Sequence, residues 1–436
     1  MSVRAARRRA PDTVSAPGAF LRKDTPLEAA PDFLLFLHIK NSTYISTHTL
    51  GGGFMDISNF VTAQEIIPFK YPLNGTWVIS IDIGFSSVKG FCPNSRFCFP
   101  SYAKKLDSPL RTDDPDDIYY RDDTGLYLVG INAQEIVTSS DTNDTRSLFD
   151  RNRYFTKDFQ IFLRTAYAIG LMENTVMRKA SQMPVFIQTG LPAAYLKEDA
   201  SKIRAAFTTP GKFEIKIGTG KWRRYDMALR NSELSVMSQP AGTLNSIMVS
   251  DDGSFRENAR QFMAGNILIA DAGFGTFDPY GVINRKVALQ ESIDNLGMKR
   301  ILEKASEKIY KDYHIDIRIP QMRKYLRAGY FKRTDIRRMK SEKIMLAPYI
   351  DAACESVAAE SLEKLYDMAG FFQDYDILVL TGGTGAAYLP YYKKALSEMD
   401  GLTIIAGNDG NELPIYYANA RGYYMTAFRN KAGGRT

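Results

Sequence analysis

The sequence has few of the residues on which disulfide frameworks, zinc sites and histidine-based catalysis depend. Only three of its 436 residues are cysteine and three are histidine. Cys92, Cys98 and Cys354 form no CxxC pair, so neither a disulfide framework nor a paired-cysteine metal site is expected. The histidines are too scattered to predict a zinc site or a catalytic triad. A reducing cytoplasm is the default expectation.

Long apolar runs are also missing. No segment reaches the roughly 18 apolar residues that a membrane helix needs, so no membrane partner is expected. Hydrophobic residues make up 44% of the chain and charged residues 24%, as is usual for a globular protein. A chain of 436 residues is long enough for two or more domains with proper cores.

Positive charge is concentrated in one segment, residues 318–343, which contains ten Lys or Arg and only two acids. A solvated helical face would explain it, and so would a contact surface for an acidic partner, another subunit or nucleic acid. No zinc-finger or RNP motif accompanies the segment, so direct base-specific DNA binding is not expected.

The first 75 residues are predicted to be an N-terminal extension that is largely disordered. Residues 1–54 are rich in Arg, Ala and Pro and sustain neither a helical nor a strand period. The early arginines also suggest a transit peptide. Equally, the natural start could lie nearer Met55.

The stretch Trp77–Phe91, WVISIDIGFSSVKGF, predicts a buried strand that runs into an acidic residue and a glycine turn. Asp82 comes at the end of the strand, and Gly84 begins a turn that hydroxyls and Lys89 line. Backbone N–H groups, hydroxyls and an ammonium in such a turn suit a polyphosphate. The carboxylate is placed to hold a hydrated divalent cation against it.

The same pattern occurs a second time in NILIADAGFGTFDPY, residues 266–280. Asp271 follows an apolar run, and Gly273, Gly275 and Thr276 form the turn, whereas Asp278 could be only a turn residue. A third glycine cluster, ILVLTGGTGAA, follows another apolar strand at residues 377–387. Two such halves predict a duplicated α/β design with a ligand in the cleft between them.

The order DIGFSSVK, TGLP, SQPAG, DAGFGTFD, GGTG and ANARGYY resembles the actin, Hsp70 and sugar-kinase ATPase superfamily. FPS, YLVG, TGLP and ANARG point to the bacterial plasmid-segregation branch, the ParM and Alp type. The resemblance covers about Trp77 to the C-terminus. It implies an α/β fold of duplicated ribonuclease-H-like domains with a nucleotide cleft between them. Domain I would span 76–240 with the C-terminal helix 415–436, and domain II would span 241–414.

The resemblance also implies the site. Asp82 and Asp271 would orient Mg²⁺ through water as catalytic and metal-binding residues. The residues implied to bind nucleotide, ATP with GTP as the alternative, are Gly84, Phe85, Ser86, Ser87, Lys89, Gly273, Phe274, Gly275, Thr276, Lys299, Gly382, Gly383, Thr384 and Gly385. Arg300 is a further candidate for the ribose or base, and Asn419, Arg421 and Gly422 would form a hinge segment.

Gln239 occupies the place of the superfamily residue that positions the attacking water. Because glutamine is a poor general base, we expect it to orient water rather than take its proton, giving slow hydrolysis. An amide that caps the following helix is the structural alternative.

The function that the resemblance implies is an ATPase that forms filaments and moves plasmid DNA through a DNA-binding adaptor protein. Its partners would be further copies of itself and that adaptor. A monomeric small-molecule kinase is the alternative within the superfamily, but it would need a carboxylate base and a substrate pocket. An Hsp70-like chaperone would need a substrate-binding domain after residue 436 and fits least.

Overall fold

The computed structural model describes residues 57–110, 114–136, 152–172, 180, 183–335 and 338–432. The first acidic motif lies in a six-stranded sheet, here called the first sheet, with the order β1-β4-β3-β2-β8-β11. Its strands are β1 (Glu65–Pro68), β2 (Trp77–Ile83), β3 (Ser87–Cys92), β4 (Ser95–Pro100), β8 (Val185–Leu191) and β11 (Leu234–Ser238). β2 is buried along its whole length, as its run of apolar residues predicts.

Among the described residues, a five-stranded side sheet and three helices also belong to this half of the chain. The side-sheet strands are β5 (Ala103–Leu106), β6 (Ile118–Asp122), β7 (Gly125–Val129), β9 (Gly211–Ile217) and β10 (Arg223–Met227). The helices are α1 (Ile131–Glu135), α2 (Lys157–Gly170) and α3 (Leu196–Thr208). The apolar side chains of α2 recur at helical spacing and are buried against the first sheet.

The second acidic motif lies in another sheet, the second sheet, with the order β14-β13-β12-β18-β19 and β15 beside β13. Its strands are β12 (Ile267–Ala272), β13 (Thr276–Ile283), β14 (Lys286–Gln290), β15 (Ile293–Asp294), β18 (Ile377–Thr381) and β19 (Thr403–Ala406). The hairpin β16 (Tyr330–Asp335) and β17 (Lys340–Met345) forms a separate two-stranded sheet.

Seven helices, as far as the described residues go, belong to the remainder of the chain. They are α4 (Gln239–Met248), α5 (Ala259–Ala264), α6 (Met298–Tyr313), α7 (Ile319–Ala328), α8 (Ala347–Met368), α9 (Gly385–Ala395) and α10 (Ala418–Ala432). None of the described helices combines the length and apolar character needed to cross a membrane.

The two larger sheets repeat one topology, which confirms the predicted duplication. In each, three consecutive strands pair antiparallel, and two later strands add in parallel on the other side of the strand that carries the aspartate. Parallel addition brings the carboxyl ends of three strands to one edge of each sheet, where loops converge. Both aspartates therefore lie at a sheet edge that is open to a ligand.

Part of the segment predicted as a disordered extension is folded. A 3-10 helix spans Ile57–Phe60, and β1 pairs antiparallel with β4, Glu65 opposite Cys98. Tyr417 donates its hydroxyl to Glu65 Oε1 over 2.8 Å. Residues 57–75 thus belong to the fold because a strand edge and a buried tyrosine bind them, whereas residues 1–56 lie outside the described part.

Candidate nucleotide site

The two acidic strands end in the same kind of turn. Gly84 N–H donates to the Ser87 carbonyl over 3.0 Å, and Gly273 N–H donates to the Thr276 carbonyl over 2.9 Å. The residues after each turn are the first of the returning strand, so Ser87 and Lys89 lie on β3 rather than in the turn itself.

Both turns face one cavity of about 330 Å³. Fourteen of the predicted site residues line it: Asp82, Gly84, Phe85, Ser86, Ser87, Lys89, Gln239, Asp271, Gly273, Phe274, Thr276, Gly382, Gly383 and Thr384. Gly275, Lys299 and Gly385 do not line it. The Lys299 Nζ lies 3.8 Å from Glu303 Oε1 on its own helix instead.

The third glycine cluster lies directly against the second aspartate. Gly382 has a φ of +83°, and a Cβ there would lie 2.3 Å from the Ala272 carbonyl oxygen, so only glycine fits. Thr384 donates its N–H to the Ala272 carbonyl over 2.9 Å and its hydroxyl to the Gly273 carbonyl over 2.6 Å. The loop and the second turn are therefore held together as one wall of the cavity.

Two carboxylates face the cavity from opposite sheets. Asp82 is 5% exposed and Asp271 6%, and Lys89 Nζ lies 3.6 Å from Asp82 Oδ2. Burial raises the pKa of Asp271 to about 6; the hydrogen bond from Asn419 opposes this, and the charge of Asp82 adds to it. A second positive charge in the cavity would favour the ionised form of Asp271.

Asp278, which lies opposite Asp271 on the neighbouring strand, is also buried. Burial and then the charge of Asp271 raise its pKa to about 7, although Ser292 and Thr276 both donate to the carboxylate. Asp278 lines the cavity and interacts electrostatically with Asp271. It therefore does more than form a turn, which was the role that the sequence indicated.

The donor set fits a magnesium ion bound largely through water. Mg²⁺ prefers oxygen ligands, keeps several waters and usually takes one or two carboxylates plus phosphate oxygens. Asp82 and Asp271 supply two carboxylates. The described residues contain no group of three or more His, Cys, Asp or Glu that could hold a metal directly. Water and phosphate would have to complete the coordination shell.

Two arginines that sequence reasoning missed also line the cavity. Arg153 lies 4.3 Å over the Phe85 ring and donates Nη2–H to the Ile83 carbonyl over 2.8 Å. Arg323 lies 4.1 Å over the Phe274 ring. The central phenylalanine of each turn is therefore covered by an arginine from a distant segment. No local signal marks either arginine, since both reach the cavity through tertiary packing.

Arg323 is the less satisfied of the two. Its buried Nη2 has no hydrogen-bond partner among the described residues. Burial lowers its pKa to about 10. A buried cationic donor with an unused hydrogen is costly unless a ligand accepts it, so this side chain favours an anionic or carbonyl-bearing ligand in the cavity.

Gln239 is the first residue of α4 and lines the cavity between the two sheets. Further along α4, Gly242 meets Gly422 of α10 so closely that a Cβ on Gly422 would lie 1.7 Å from the Gly242 carbonyl oxygen. Arg421, fully buried, donates to the carbonyls of Ser246 and Val249. The helix that begins at Gln239 and the predicted hinge segment thus cross in direct contact.

Two sheets of one topology, each directing an acidic turn into a common cavity, define the actin fold. Residues 80–242 match the family model described as the N-terminal domain of actin-like proteins. The chain has the fold of bacterial and archaeal actin homologues, and this confirms the resemblance and the fold class predicted above. No curated protein sequence matches the chain.

Three solved structures illustrate the likeness. A non-polymerisable quadruple mutant of pCBH ParM is 19% identical over 81% of this chain and 99% of its own, with a TM-score of 0.62. A 15-stranded ParM filament from Clostridium botulinum is 17% identical over 82% and 100%, with a TM-score of 0.60. An archaeal actin homologue in complex with ADP is 16% identical over 81% and 99%, with a TM-score of 0.55.

Proposed function

We propose that this protein binds Mg-ATP in the cavity, assembles into filaments and hydrolyses the nucleotide to control filament turnover. The observation that carries the proposal is the convergence of Asp82 and Asp271, from two equivalent turns, on one cavity. Backbone N–H groups of the two turns would hold the β- and γ-phosphates, and Lys89 would neutralise phosphate charge.

Gln239 would orient the attacking water. It begins a helix at the cavity wall and carries an amide, which can accept and donate a hydrogen bond but is a poor base. Hydrolysis would therefore be slow relative to binding. Newly added subunits would then carry ATP and older subunits ADP, so that the bound nucleotide reports how long a subunit has been in the filament.

Filament formation is proposed because a ParM relative with this fold is a filament and another is described as a non-polymerisable mutant. ATP would favour the polymerising conformation by binding it more tightly than the other conformation. Together with filament formation, we propose that the protein moves plasmid DNA in the cytoplasm through a DNA-binding adaptor. GTP is the alternative nucleotide.

Right-angle light scattering of the purified protein with and without Mg-ATP, followed by negative-stain microscopy, tests the proposal. We expect scattering to rise above a critical concentration and filaments to be visible on the grid. A flat trace together with steady ATP turnover would contradict filament formation and would favour the alternative, a monomeric small-molecule kinase. A screen of phosphate acceptors would then follow.

A further inference from the structure

The hairpin of β16 and β17 has an inner and an outer face that differ in chemistry. Side chains alternate between the faces of a strand, and Phe331 on the inner face is buried opposite the half-buried Ile344. On the outer face Lys332 lies opposite Lys343, and both are exposed. Met345, on the same face, is 55% exposed.

This outer face carries two lysines side by side, of which Lys343 lies 4.3 Å over the Tyr330 ring. Like charges directly opposite each other destabilise a strand pair. The two strands, Tyr330–Asp335 and Lys340–Met345, contain four Lys or Arg and two acids, a net charge of +2. An acidic surface against the outer face would relieve the repulsion between Lys332 and Lys343 and would cover Met345.

A surface of that kind lies at the other end of α8. The helix begins directly after β17 and runs 22 residues to Met368, about 33 Å at 1.5 Å per residue. Residues 363–376 then contain four acids and one lysine, a net charge of −3. The four acids are all exposed: Glu363, Asp367, Asp374 and Asp376. Phe371, which they surround in sequence, is 50% exposed.

We propose that the two basic strands of the hairpin, β16 and β17, of one copy dock on the acidic end (residues 363–376) of a second copy. Because the two surfaces differ and lie at opposite ends of a rigid helix, the contact is head-to-tail. Such a contact repeats without closing and builds a filament. The inference rests on the proposed assembly and adds to it the surfaces that meet along the filament.

Paired charge reversals test the contact. One variant carries Lys332→Glu and Lys343→Glu, and the other carries Asp367→Lys and Asp374→Lys. The first keeps a like-charge pair across the hairpin, so the cost to strand pairing is matched to that of the wild type. Assembly with Mg-ATP is followed by light scattering and pelleting, and ATP binding to the unassembled protein is measured in parallel.

We expect each variant alone to raise the critical concentration at least tenfold, because equal charges then face each other, while its ATP affinity stays unchanged. An equimolar mixture should assemble again, since the acidic hairpin of one variant meets the basic end of the other and vice versa. Lys221→Glu with Arg223→Glu, an exposed pair near β10, is the matched control and should assemble like the wild type.

Three results would overturn the contact. If the wild type itself does not assemble, the proposed function fails and the contact fails with it. If the wild type assembles and both reversal variants assemble equally well, the contact alone is wrong. If the hairpin variant assembles normally but no longer binds a DNA duplex that the wild type binds, the hairpin is a nucleic-acid surface instead.

Discussion

Asn419 donates its Nδ2–H to Oδ2 of Asp271 over 2.9 Å, although 148 residues separate the two. Asn419 accepts in turn from the Thr243 hydroxyl at 2.7 Å. The last helix of the chain and α4 are therefore both connected to the carboxylate of the second turn. The carboxylate of Asp271 is thus linked through two hydrogen bonds to the place where α4 and α10 cross.

Replacing Asn419 by Ala should weaken Mg-ATP binding more at pH 7 than at pH 8.5. The hydrogen bond lowers the pKa of Asp271 against the effect of burial, so its loss raises that pKa and leaves more of the carboxyl neutral near pH 7. A hydrogen bond to a charged group is worth about 1.5–3 kcal/mol, or about one to two pKa units. From a pKa of about 6, this corresponds to a loss of affinity at pH 7 of roughly two- to fifteenfold. Titration with a fluorescent ATP analogue measures it.

Asn245→Ala is the matched control, because Asn245 donates only to the Ala241 carbonyl of its own helix. It should leave the affinity unchanged at both pH values. An equal loss of affinity for Asn419→Ala at pH 7 and pH 8.5 would mean that the side chain positions the helix and does not tune Asp271.

The ligand-free protein should become less stable as the pH rises from 5 to 8. Burial raises the pKa of Asp278 to about 7, so between the unfolded value and pH 7 the folded state binds a proton that the unfolded state has lost. Stability then falls with rising pH, by about 1.4 kcal/mol per unit of pKa difference. Thermal unfolding of the wild type and Asp278→Asn checks it.

Asp278→Asn cannot lose this proton, so its melting temperature should depend less on pH over the same range. Addition of Mg-ATP should also reduce the dependence in the wild type, since a cation nearby favours the ionised carboxylates. Identical pH profiles for wild type and variant would show that Asp278 does not govern the stability of the apo protein.

The turns were predictable because their signal is local. An apolar run, an aspartate and a glycine specify a strand and a turn without help from the rest of the chain, and Gly382 carries a positive φ that its glycine cluster signals. The duplication of that pattern was enough to place Asp82 and Asp271 together.

What sequence reasoning missed depends on packing. Arg153 and Arg323 reach the cavity from segments with no motif. β1 is a strand of four residues whose partners lie 27 to 33 positions further along the chain. The resemblance implies that Lys299 binds the nucleotide, whereas the residues of its helix that line the cavity are Met298 and Leu302. A helix turns by about 100° per residue, so positions i and i+4 share a face that i+1 does not.

Gln239→Ala should slow phosphate release by one to two orders of magnitude, roughly 1.4–2.7 kcal/mol of barrier, while ATP binding and assembly remain intact. Gln239→Glu offers the carboxylate alternative and should retain hydrolysis. Single-turnover phosphate release, measured beside nucleotide affinity, separates the roles. Loss of binding in the alanine variant would show that Gln239 is a structural cap for α4.

The crossing of α4 and α10 should not tolerate a side chain at Gly422. A Cβ there would lie 1.7 Å from the Gly242 carbonyl oxygen, and backbone atoms of two helices cannot move apart cheaply. Gly422→Ala should therefore lower the free energy of unfolding by about 1–3 kcal/mol or more, which is the usual cost of overpacking. Gly383→Ala, where a Cβ meets no described atom within 4 Å, should change stability by about 0.5 kcal/mol or less. Denaturant midpoints compare the two, and equal midpoints would contradict the close crossing.

Arg323→Met should weaken nucleotide binding, whereas Lys299→Met should not. The guanidinium of Arg323 lies over Phe274 in the cavity with its buried Nη2 unpaired among the described residues, so a bound anion or carbonyl would gain a charge-assisted hydrogen bond. Lys299 instead lies near Glu303, outside the cavity. Removing a donor to a charged partner costs about 1.5–3 kcal/mol, which is a tenfold or greater rise in Kd.

Since burying an unpaired cation is unfavourable, the same Arg323→Met variant should be as stable as the wild type without ligand or more so. Weaker nucleotide binding together with a preserved melting temperature would assign Arg323 to the ligand. A fall in melting temperature with unchanged affinity would assign it to the packing of Phe274, and a loss of affinity in Lys299→Met would restore the role that the sequence indicated for that lysine.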